Sequence, residues 1–101
     1  MRSIMLFCAA GMSTSMLVKK MQAAADEAGY EVEISAHPVA EVAKHGKDAD
    51  ILLLGPQVRF QTEKVKAQFP DKPVVAIDMR DYGTMNGKNV IAMVKKTLGD
   101  E

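Results

Sequence analysis

The sequence predicts a single α/β domain over residues 1–101, an open, doubly wound sheet of four parallel strands with helices on both faces. Short apolar runs alternate along the chain with stretches whose apolar residues recur at helical spacing. Residues 51–54, Ile-Leu-Leu-Leu, are apolar throughout, as expected of a central parallel strand covered on both faces. Strands separated by helices require right-handed crossovers, which place helices on both sides of the sheet. A chain of 101 residues that is 48% apolar can bury one modest core.

The first half of the chain contains two predicted strands and two predicted helices. Residues 3–7 form a short apolar run, and residues 30–36 alternate apolar and polar side chains like a strand near a sheet edge. The helix between them is expected to end at Gly29. Its predicted buried face consists of Leu17, Met21, Ala24 and Ala28. A short helix is predicted at residues 38–44, because it starts with a proline and Gly46 follows it.

The second half of the chain repeats the alternation of strand and helix. The apolar run at residues 51–54 stops at a Gly-Pro pair, and a fourth strand is predicted at residues 74–77. A polar, glycine-containing connection at residues 78–87 leads into a last helix, with Gly99 beyond its end. Two helical faces are predicted, one at Val58, Thr62, Val65 and Phe69 and one at Val90, Ile91, Val94 and Leu98.

Composition excludes several classes of function. Thirteen basic and thirteen acidic residues give no net charge, which argues against binding a nucleic acid. A single cysteine excludes a scaffold held by internal disulfides, and 5% aromatic residues are too few for a base-stacking platform. No apolar run approaches the roughly 20 residues needed to cross a bilayer. The apolar residues near the N-terminus follow only one positive charge, so we interpret them as a strand of a cytoplasmic protein rather than a signal peptide.

The ligand site is predicted where the carboxyl ends of the parallel strands meet. Three segments should come together there: residues 8–15, residues 55–57 and residues 78–82. The first is the most informative, because Cys8 ends a strand and a run of small residues then opens a helix. The main-chain N–H groups of such a loop can converge on an anion, helped by the helix dipole. The predicted phosphate-binding loop comprises Ala9, Ala10, Gly11, Met12, Ser13, Thr14 and Ser15.

The same loop suits a nucleophilic sulfur. A cysteine at the N-terminus of a helix is stabilised as its thiolate, which is the reactive form. We therefore predict that Cys8 is the catalytic residue and that it carries a phosphoryl group as a thiophosphate ester. The chain offers no metal-ligand cluster recognisable in the sequence, and no metal or other cofactor is expected.

Three phosphate chemistries compete for this loop. A Walker-type nucleotide site would need a second glycine followed by lysine, which this loop lacks. A cysteine phosphatase would need an arginine six residues after the nucleophile to clamp the phosphate, and Thr14 stands there. No Arg or Lys lies between Cys8 and Val18. A phosphoryl relay needs to hold its intermediate without hydrolysing it, so the missing arginine favours a relay. A low-molecular-weight-type cysteine phosphatase and a non-catalytic anion- or protein-binding module remain as alternatives.

Two motifs resemble a known family. They are Cys8-Ala9-Ala10-Gly11-Met12-Ser13-Thr14-Ser15-Met16-Leu17 and Leu54-Gly55-Pro56-Gln57. With the spacing between them, they look like the IIB component of the lactose/cellobiose branch of the bacterial phosphoenolpyruvate-dependent sugar phosphotransferase system, most closely the stand-alone cellobiose or N,N′-diacetylchitobiose type. The resemblance covers essentially the whole chain and implies a four-stranded parallel fold related in topology to the low-molecular-weight tyrosine phosphatases.

The resemblance implies a definite cycle. A phosphohistidine on the partner protein IIA would donate its phosphoryl group to Cys8, which would pass it to a cellobiose- or chitobiose-type β-glucoside. The sugar would be presented by the membrane permease IIC, so the chain would act in the cytoplasm and meet the membrane transiently through IIC. Neither a metal nor a nucleotide is implied. A monomer that visits two partners in turn is the simplest expectation.

The remaining candidate residues are assigned supporting roles or none. Gly55, Pro56 and Gln57 are expected to support the site or contact a partner, and Asp81 and Tyr82 to lie at its edge. The two histidines, His37 and His45, are interpreted as structural or solvent-facing residues remote from the site. Met21 and Met93 are expected in the core, and Met12 and Met16 near Cys8 as adaptable partner contacts.

Overall fold

The fold was analysed in a computed structural model that describes residues 1–9 and 14–100, with Thr14 described through its backbone alone. The chain forms four strands, β1 (Arg2–Cys8), β2 (Val32–Pro38), β3 (Ile51–Leu54) and β4 (Val74–Ala76). Five α-helices are described: α1 (Thr14–Glu27), α2 (Val42–His45), α3 (Thr62–Gln68), α4 (Met79–Gly83) and α5 (Gly87–Leu98). Short 3₁₀ turns at Val39–Glu41, Gly46–Asp48 and Pro56–Gln61 flank α2 and precede α3.

The four strands form one parallel sheet in the order β2-β1-β3-β4. This confirms the predicted single α/β domain, with β1 and β3 in the centre and β2 at an edge. In the pairing register, Cys8 lies opposite Pro38, Phe7 opposite Leu54, and Leu54 opposite Ala76. The carboxyl ends of all four strands therefore lie along the same edge of the sheet.

Alternate side chains of the strands point into two separate cores. On one face, Ile4, Leu6, Ile51 and Leu53 pack against Leu17 and Met21 of α1 and Val90, Ile91 and Val94 of α5. On the other face, Phe7, Leu52 and Leu54 pack with Val42 of α2 and Val65 of α3. Every residue of β3 is buried, because this strand is covered on both sides. Burial on both sides explains why residues 51–54 are all apolar.

Two helices, α1 and α5, end at the glycines that the sequence predicts. Gly29 and Gly99 adopt left-handed φ values of 68° and 73°. After α1, the Tyr30 N–H donates to the Ala25 carbonyl at 2.8 Å; after α5, the Asp100 N–H donates to the Lys95 carbonyl at 2.8 Å. Each bond belongs to a Schellman motif, in which glycine is favoured because it has no Cβ.

Two predicted helices differ from the structure in their packing or their ends. Ala25 of α1 is buried, whereas Ala28, predicted on the buried face, lies just beyond the end of α1 and is exposed. Instead of a helix over residues 38–44, the chain forms a 3₁₀ turn followed by four residues of α-helix. Gly46 continues into the next 3₁₀ turn and is buried; a Cβ there would lie 2.5 Å from the Phe69 ring.

The predicted connections also contain helical structure. Val58 has φ −118° and ψ 18°, so the helical face predicted from residues 58–69 is split into a 3₁₀ turn and α3. The connection predicted at residues 78–87 contains α4, which Asp78 caps by accepting a hydrogen bond from the Arg80 N–H at 2.8 Å. Both helical pieces are short, and their polar sequences carry little periodicity from which to predict them.

The amino end of the sheet is tied by polar contacts. Arg2 Nε donates to Asp100 Oδ2 at 2.8 Å and its Nη2 donates to Oδ1 at 2.9 Å. Tyr30 also donates to Asp100 Oδ2, at 2.5 Å, and the Ser3 N–H donates to Asp50 Oδ2 at 2.7 Å. The two Arg2 bonds connect the start of β1 to the chain beyond α5. Among the described residues, no helix is long and apolar enough to span a membrane.

Candidate functional site

Cys8 is the last residue of the central strand β1, at the carboxyl edge of the sheet. Its neighbour Phe7 pairs with both edge-side β2 and central β3. The next regular element, α1, begins at Thr14. Cys8 is 2% exposed and belongs to the buried part of the domain.

Gly55 is in direct contact with the strand that carries Cys8. Its N–H donates to the Phe7 carbonyl at 2.8 Å, which extends the pairing of β1 and β3 by one residue. A Cβ at Gly55 would lie 3.4 Å from the Cys8 Cβ and 2.9 Å from the Gln57 side-chain oxygen. The backbone there is extended, with φ −62° and ψ 152°, so close packing rather than an unusual φ favours glycine. The structure therefore places Gly55 beside Cys8, with the Gln57 side chain against Gly55.

The segment after β4 lies farther along the same edge. The Ile77 N–H donates to the Leu54 carbonyl at 2.8 Å, which extends the pairing of β4 with β3. Asp81 then lies on α4, where its carboxylate accepts a hydrogen bond from the Asn89 side chain at 3.1 Å. Tyr82 is half-buried against the core formed with α1 and α5. Asp81 and Tyr82 thus help to attach α4 to the domain. The strand before α4 is β4, and β3 separates it from β1, which carries Cys8.

Three large apolar side chains are exposed on segments that follow the carboxyl ends of strands. Met16, in the first turn of α1, is 49% exposed; Phe60, after β3, is 78% exposed; Met79, after β4, is 61% exposed. Exposed apolar side chains that share one edge are typical of a surface that other proteins contact. The predicted exposure of Met16 and the predicted burial of Met21 are both confirmed.

The predicted phosphate-binding loop is only partly described. Ala9 is exposed directly after β1, Thr14 begins α1, and Ser15 is an exposed residue in the first turn of α1. The predictions for Ala10, Gly11, Met12 and Ser13 concern residues outside those that the structure describes. The helix α1 therefore begins within the run of hydroxyl residues at positions 13–15, and such residues favour a helix N-terminus.

Comparison with known proteins identifies the family of this chain. The family model for the lactose/cellobiose-specific IIB subunit of the phosphotransferase system (PTS) matches residues 3–93. The chain belongs to this IIB family. IIB subunits are phosphotransferase components of sugar uptake and act with IIA and IIC partners.

Curated relatives carry the names of several sugars. The chain is 44% identical to the galactose-specific EIIB component of Lactococcus lactis subsp. cremoris and 43% identical to the cellobiose-specific EIIB component of Lactococcus lactis subsp. lactis; in both alignments, 94% of each chain is covered. It is 38% identical to the oligo-beta-mannoside-specific EIIB component of Bacillus subtilis, with 87% of each chain covered. The IIB assignment is thus shared by relatives that differ in the named sugar.

Solved IIB structures have the same fold. The cellobiose-specific IIB component of Borrelia burgdorferi superposes with a TM-score of 0.80 at 33% identity, covering 98% of this chain and 93% of that one. The lactose-specific IIB domain of Streptococcus pneumoniae gives a TM-score of 0.83 at 16% identity, covering 94% and 95%. The second comparison bears on the fold alone. Together they agree with the four-stranded parallel IIB architecture that the sequence predicts.

The sequence interpretation was wrong about the surroundings of the two histidines. His37 lies opposite Phe7 in the sheet, one residue before the Cys8 pairing, so it is close to the carboxyl edge. Its ring stacks on His45 with the centroids 3.9 Å apart, and His45 Nε2 lies 3.0 Å from Glu41 Oε1. Burial, followed by the neighbouring His45, lowers the pKa of His37 below its usual 6.5. The spacing His-x3-Glu-x3-His was the sequence signal for this cluster.

Proposed function

We propose that this IIB chain carries a phosphoryl group on Cys8, taking it from a phosphohistidine of IIA and passing it to a sugar delivered by IIC. The observation that carries the proposal is the position of Cys8 at the carboxyl end of the central strand, before a helix that begins at Thr14. Ligands of open parallel sheets bind at this edge. The family supplies the reaction class and the two partners.

The proposed transfer has two steps that leave the chain unchanged. In the first, the Cys8 thiolate attacks phosphorus, the S–P bond forms, and the N–P bond of the phosphohistidine breaks with its electron pair left on the imidazole nitrogen. In the second, a sugar hydroxyl oxygen attacks phosphorus and loses its proton to a base or to water. The S–P bond then breaks and its electron pair returns to sulfur, which regenerates the thiolate.

The loop at residues 9–15 is proposed to hold the phosphoryl group through main-chain N–H groups and hydroxyls. No Arg or Lys occurs between Cys8 and Val18, so the loop lacks the bidentate clamp on which a phosphatase depends. Without that clamp, attack by water gains little stabilisation in the transition state, and the phosphocysteine survives until the sugar arrives. This absence supports a relay rather than a cysteine phosphatase.

The proposed substrate is a β-glucoside of the cellobiose or chitobiose type. Its support is the 43% identity to a cellobiose-specific EIIB component and the 33% identity to the cellobiose-specific IIB structure. Relatives named for galactose and for oligo-beta-mannosides have similar identities. A sugar-uptake screen with the cognate IIC tests the assignment, and growth on galactosides alone would contradict it.

Labelled phosphoenolpyruvate tests the carrier role. In the presence of the general phosphotransferase proteins and IIA, the wild-type chain should gain one phosphate that is stable to isolation. Cys8→Ala should gain none, and Cys8→Ser should fail to pass phosphate to sugar, because a serine hydroxyl is a far weaker nucleophile at neutral pH. Labelling that persisted in Cys8→Ala would refute the assignment, as would rapid turnover of p-nitrophenyl phosphate by the wild-type chain.

Amide hydrogen exchange tests the loop separately from Cys8. A phosphoryl group carries close to two negative charges, so it should accept hydrogen bonds from several main-chain N–H groups at once. Exchange at residues 9–15 should slow on phosphorylation, while exchange in α3 stays the same. Unchanged exchange at residues 9–15 would contradict the proposed anion cradle without contradicting phosphorylation of Cys8.

The proposed cycle places the chain in the cytoplasm, with IIC as its link to the inner face of the membrane. A monomer is sufficient for this role, since each transfer joins Cys8 to one partner at a time. Light scattering on the isolated chain should give the monomer mass. A stable dimer would require the partner encounters to be revised.

A further inference from the structure

Three side chains with metal-ligating atoms converge beside the carboxyl end of β2. His37 lies near the end of this strand, Glu41 lies in the following 3₁₀ turn, and His45 ends α2. One ligand atom from each residue can be chosen so that all three lie within 4.8 Å of one another. From this convergence we infer a binding site for a borderline divalent transition-metal ion, for which Zn²⁺ is the test ion.

The local backbone fixes this arrangement. Glu41 and His45 are four residues apart across the start of a helix, which puts them on the same side, and His45 Nε2 lies 3.0 Å from Glu41 Oε1. His37 is held by the register of β2 against β1 and lies within contact of the Phe7 ring, with centroids 5.8 Å apart. Two of the three ligands are half-buried, so they lose little freedom when they bind an ion.

Metal binding at this cluster requires the side chains to rotate from their present positions. In a tetrahedral zinc site the ligand atoms are about 3.3 Å apart, because Zn–N and Zn–O bonds are about 2.0–2.1 Å long. The His37 and His45 rings are now stacked with 20° between their planes, whereas two imidazoles that share an ion must splay so that both planes contain it. Glu41 is exposed and His45 is partly exposed, so rotation about their side-chain torsions is the adjustment that the site requires.

The donor set selects the class of ion. Two imidazoles and one carboxylate suit Zn²⁺ and its first-row neighbours, whereas Mg²⁺ and Ca²⁺ prefer oxygen ligands alone. Three protein ligands leave the fourth tetrahedral position for water or for a group from another molecule. The proposed phosphoryl transfer assigns no role to His37 or His45, although His37 pairs with Phe7, the residue next to Cys8.

Cobalt absorption and zinc competition test the site. The experiment uses Cys8→Ala as the parent chain, because the thiol would otherwise offer its own ligand. Co²⁺ should produce the intense visible bands of a four-coordinate complex, and Zn²⁺ should displace it at one equivalent. His37→Gln and His45→Gln should each weaken Zn²⁺ binding more than tenfold, since even the loss of an outer-shell partner costs about 10–100-fold.

Glutamate variants provide a matched control. Glu41→Gln should also weaken Zn²⁺ binding more than tenfold, whereas Glu33→Gln, at an exposed position on β2, the strand that carries His37, should leave it unchanged. Zinc should raise the melting temperature of the parent chain and of the Glu33 variant, because it binds the folded state. Circular dichroism checks that each variant is folded.

Two results would overturn the inference. One is a cobalt spectrum that remains that of the hydrated ion at millimolar Co²⁺ in the folded parent chain. The other is zinc affinity or thermal stabilisation that is the same in the parent and in the His37→Gln, His45→Gln double variant. In either case, the cluster would be only a stacked pair of rings with a surface ion pair.

Discussion

The two ends of the sheet differ in how their side chains are connected. At the amino end, Arg2, Tyr30 and Asp100 form a network of directed hydrogen bonds, and Asp50 binds the main chain of β1. At the carboxyl end, Cys8 lies beside Gly55, and the following segments expose Met16, Phe60 and Met79. One end holds the chain together, while the other carries the proposed nucleophile and exposes adaptable apolar groups after the strands.

This difference separates stability from function within a small domain. Polar networks fix side chains in one geometry, which suits a structural end of the sheet. A carrier that meets two partners in turn benefits from flexible, unbranched or exposed side chains such as methionine. We therefore expect substitutions at the amino end to change folding stability and substitutions at the carboxyl end to change transfer.

The largest effect is expected from Gly87→Ala, at the contact between α5 and α1. Gly87 begins α5 and packs on α1; a Cβ there would lie 2.4 Å from the Lys20 carbonyl carbon and 2.5 Å from the Met21 nitrogen. Backbone cannot yield as a side chain can, so the free energy of unfolding should fall by about 3 kcal/mol. Gly83→Ala is the control, since nothing lies within 4 Å of its Cβ. Equal urea midpoints for the two variants would contradict the proposed close packing.

Phe60→Ala should affect transfer without affecting the fold. The ring is 78% exposed, so its removal should change the free energy of unfolding by less than about 0.5 kcal/mol. Loss of an aromatic contact with a partner should slow phosphoryl transfer from IIA about tenfold, measured by rapid quench. Phe69→Ala, on the half-buried ring of the α2–α3 side, should show the opposite pattern. If the Phe60→Ala variant accepts phosphate from IIA at an unchanged rate, the Phe60 ring is not part of the surface that contacts IIA.

The amino-end network should make stability depend on pH at both extremes. Hydrogen bonds from Arg2 and then Tyr30 lower the pKa of Asp100 from 3.8 to about 2, so its stabilisation is present above pH 3.8 and lost as pH falls towards 2. Burial, then the hydrogen bond to Asp100, raises the pKa of Tyr30 from 10.0 to about 12. That stabilisation is present below pH 10 and lost as pH rises towards 12.

Urea titrations at a series of pH values measure these two contributions. Asp100→Asn should remove the part of the acid dependence that lies between pH 3.8 and 2, and Tyr30→Phe the part between pH 10 and 12. Neither variant should alter the rate of transfer from IIA. Asp71→Asn, at an exposed turn, serves as the matched control. Slower transfer in Asp100→Asn at neutral pH would show that the two ends are coupled.

The smallest effect is expected from Gly55→Ala at the carboxyl end. The extended backbone accepts alanine, and the shortest contact of the new Cβ is with the mobile end of Gln57 at 2.9 Å. We expect a loss of stability of about 1 kcal/mol or less. If Gln57 supports the site, Gly55→Ala should slow phosphorylation of Cys8 a few-fold. Gln57→Ala should then show the same reduction, and a normal rate in both variants would remove this turn from the site.

Much of the fold was predictable because the apolar pattern is strong where burial is complete. Residues 51–54 form β3, and left-handed Gly29 and Gly99 end α1 and α5 as predicted. The alanines near the end of α1 were less informative: the sequence placed Ala28 on the buried face, whereas Ala25 is buried and Ala28, just past the helix, is exposed. Alanine is small and suits either environment, so the end of the core contact cannot be recognised from composition.

The candidate site was predictable in part for a similar reason. Cys8 was identified because a strand end, small residues and a helix start follow one another in the chain. The contact of Gly55 with Cys8 follows from adjacent parallel strands ending at one edge. The cluster of His37 with His45 was missed, because the direction in which each ring points depends on strand register and on the turn at Val39–Glu41.

The sequence by itself determined the alternation of strands and helices, the family and the identity of the single thiol, since all three reside in local pattern and residue order. The tertiary structure decided which side chains meet across the sheet, including the Arg2–Asp100 contact between residues near opposite ends of the chain. Such contacts depend on strand order and helix packing, which arise from summed burial over the whole core. The local sequence pattern therefore does not predict these contacts.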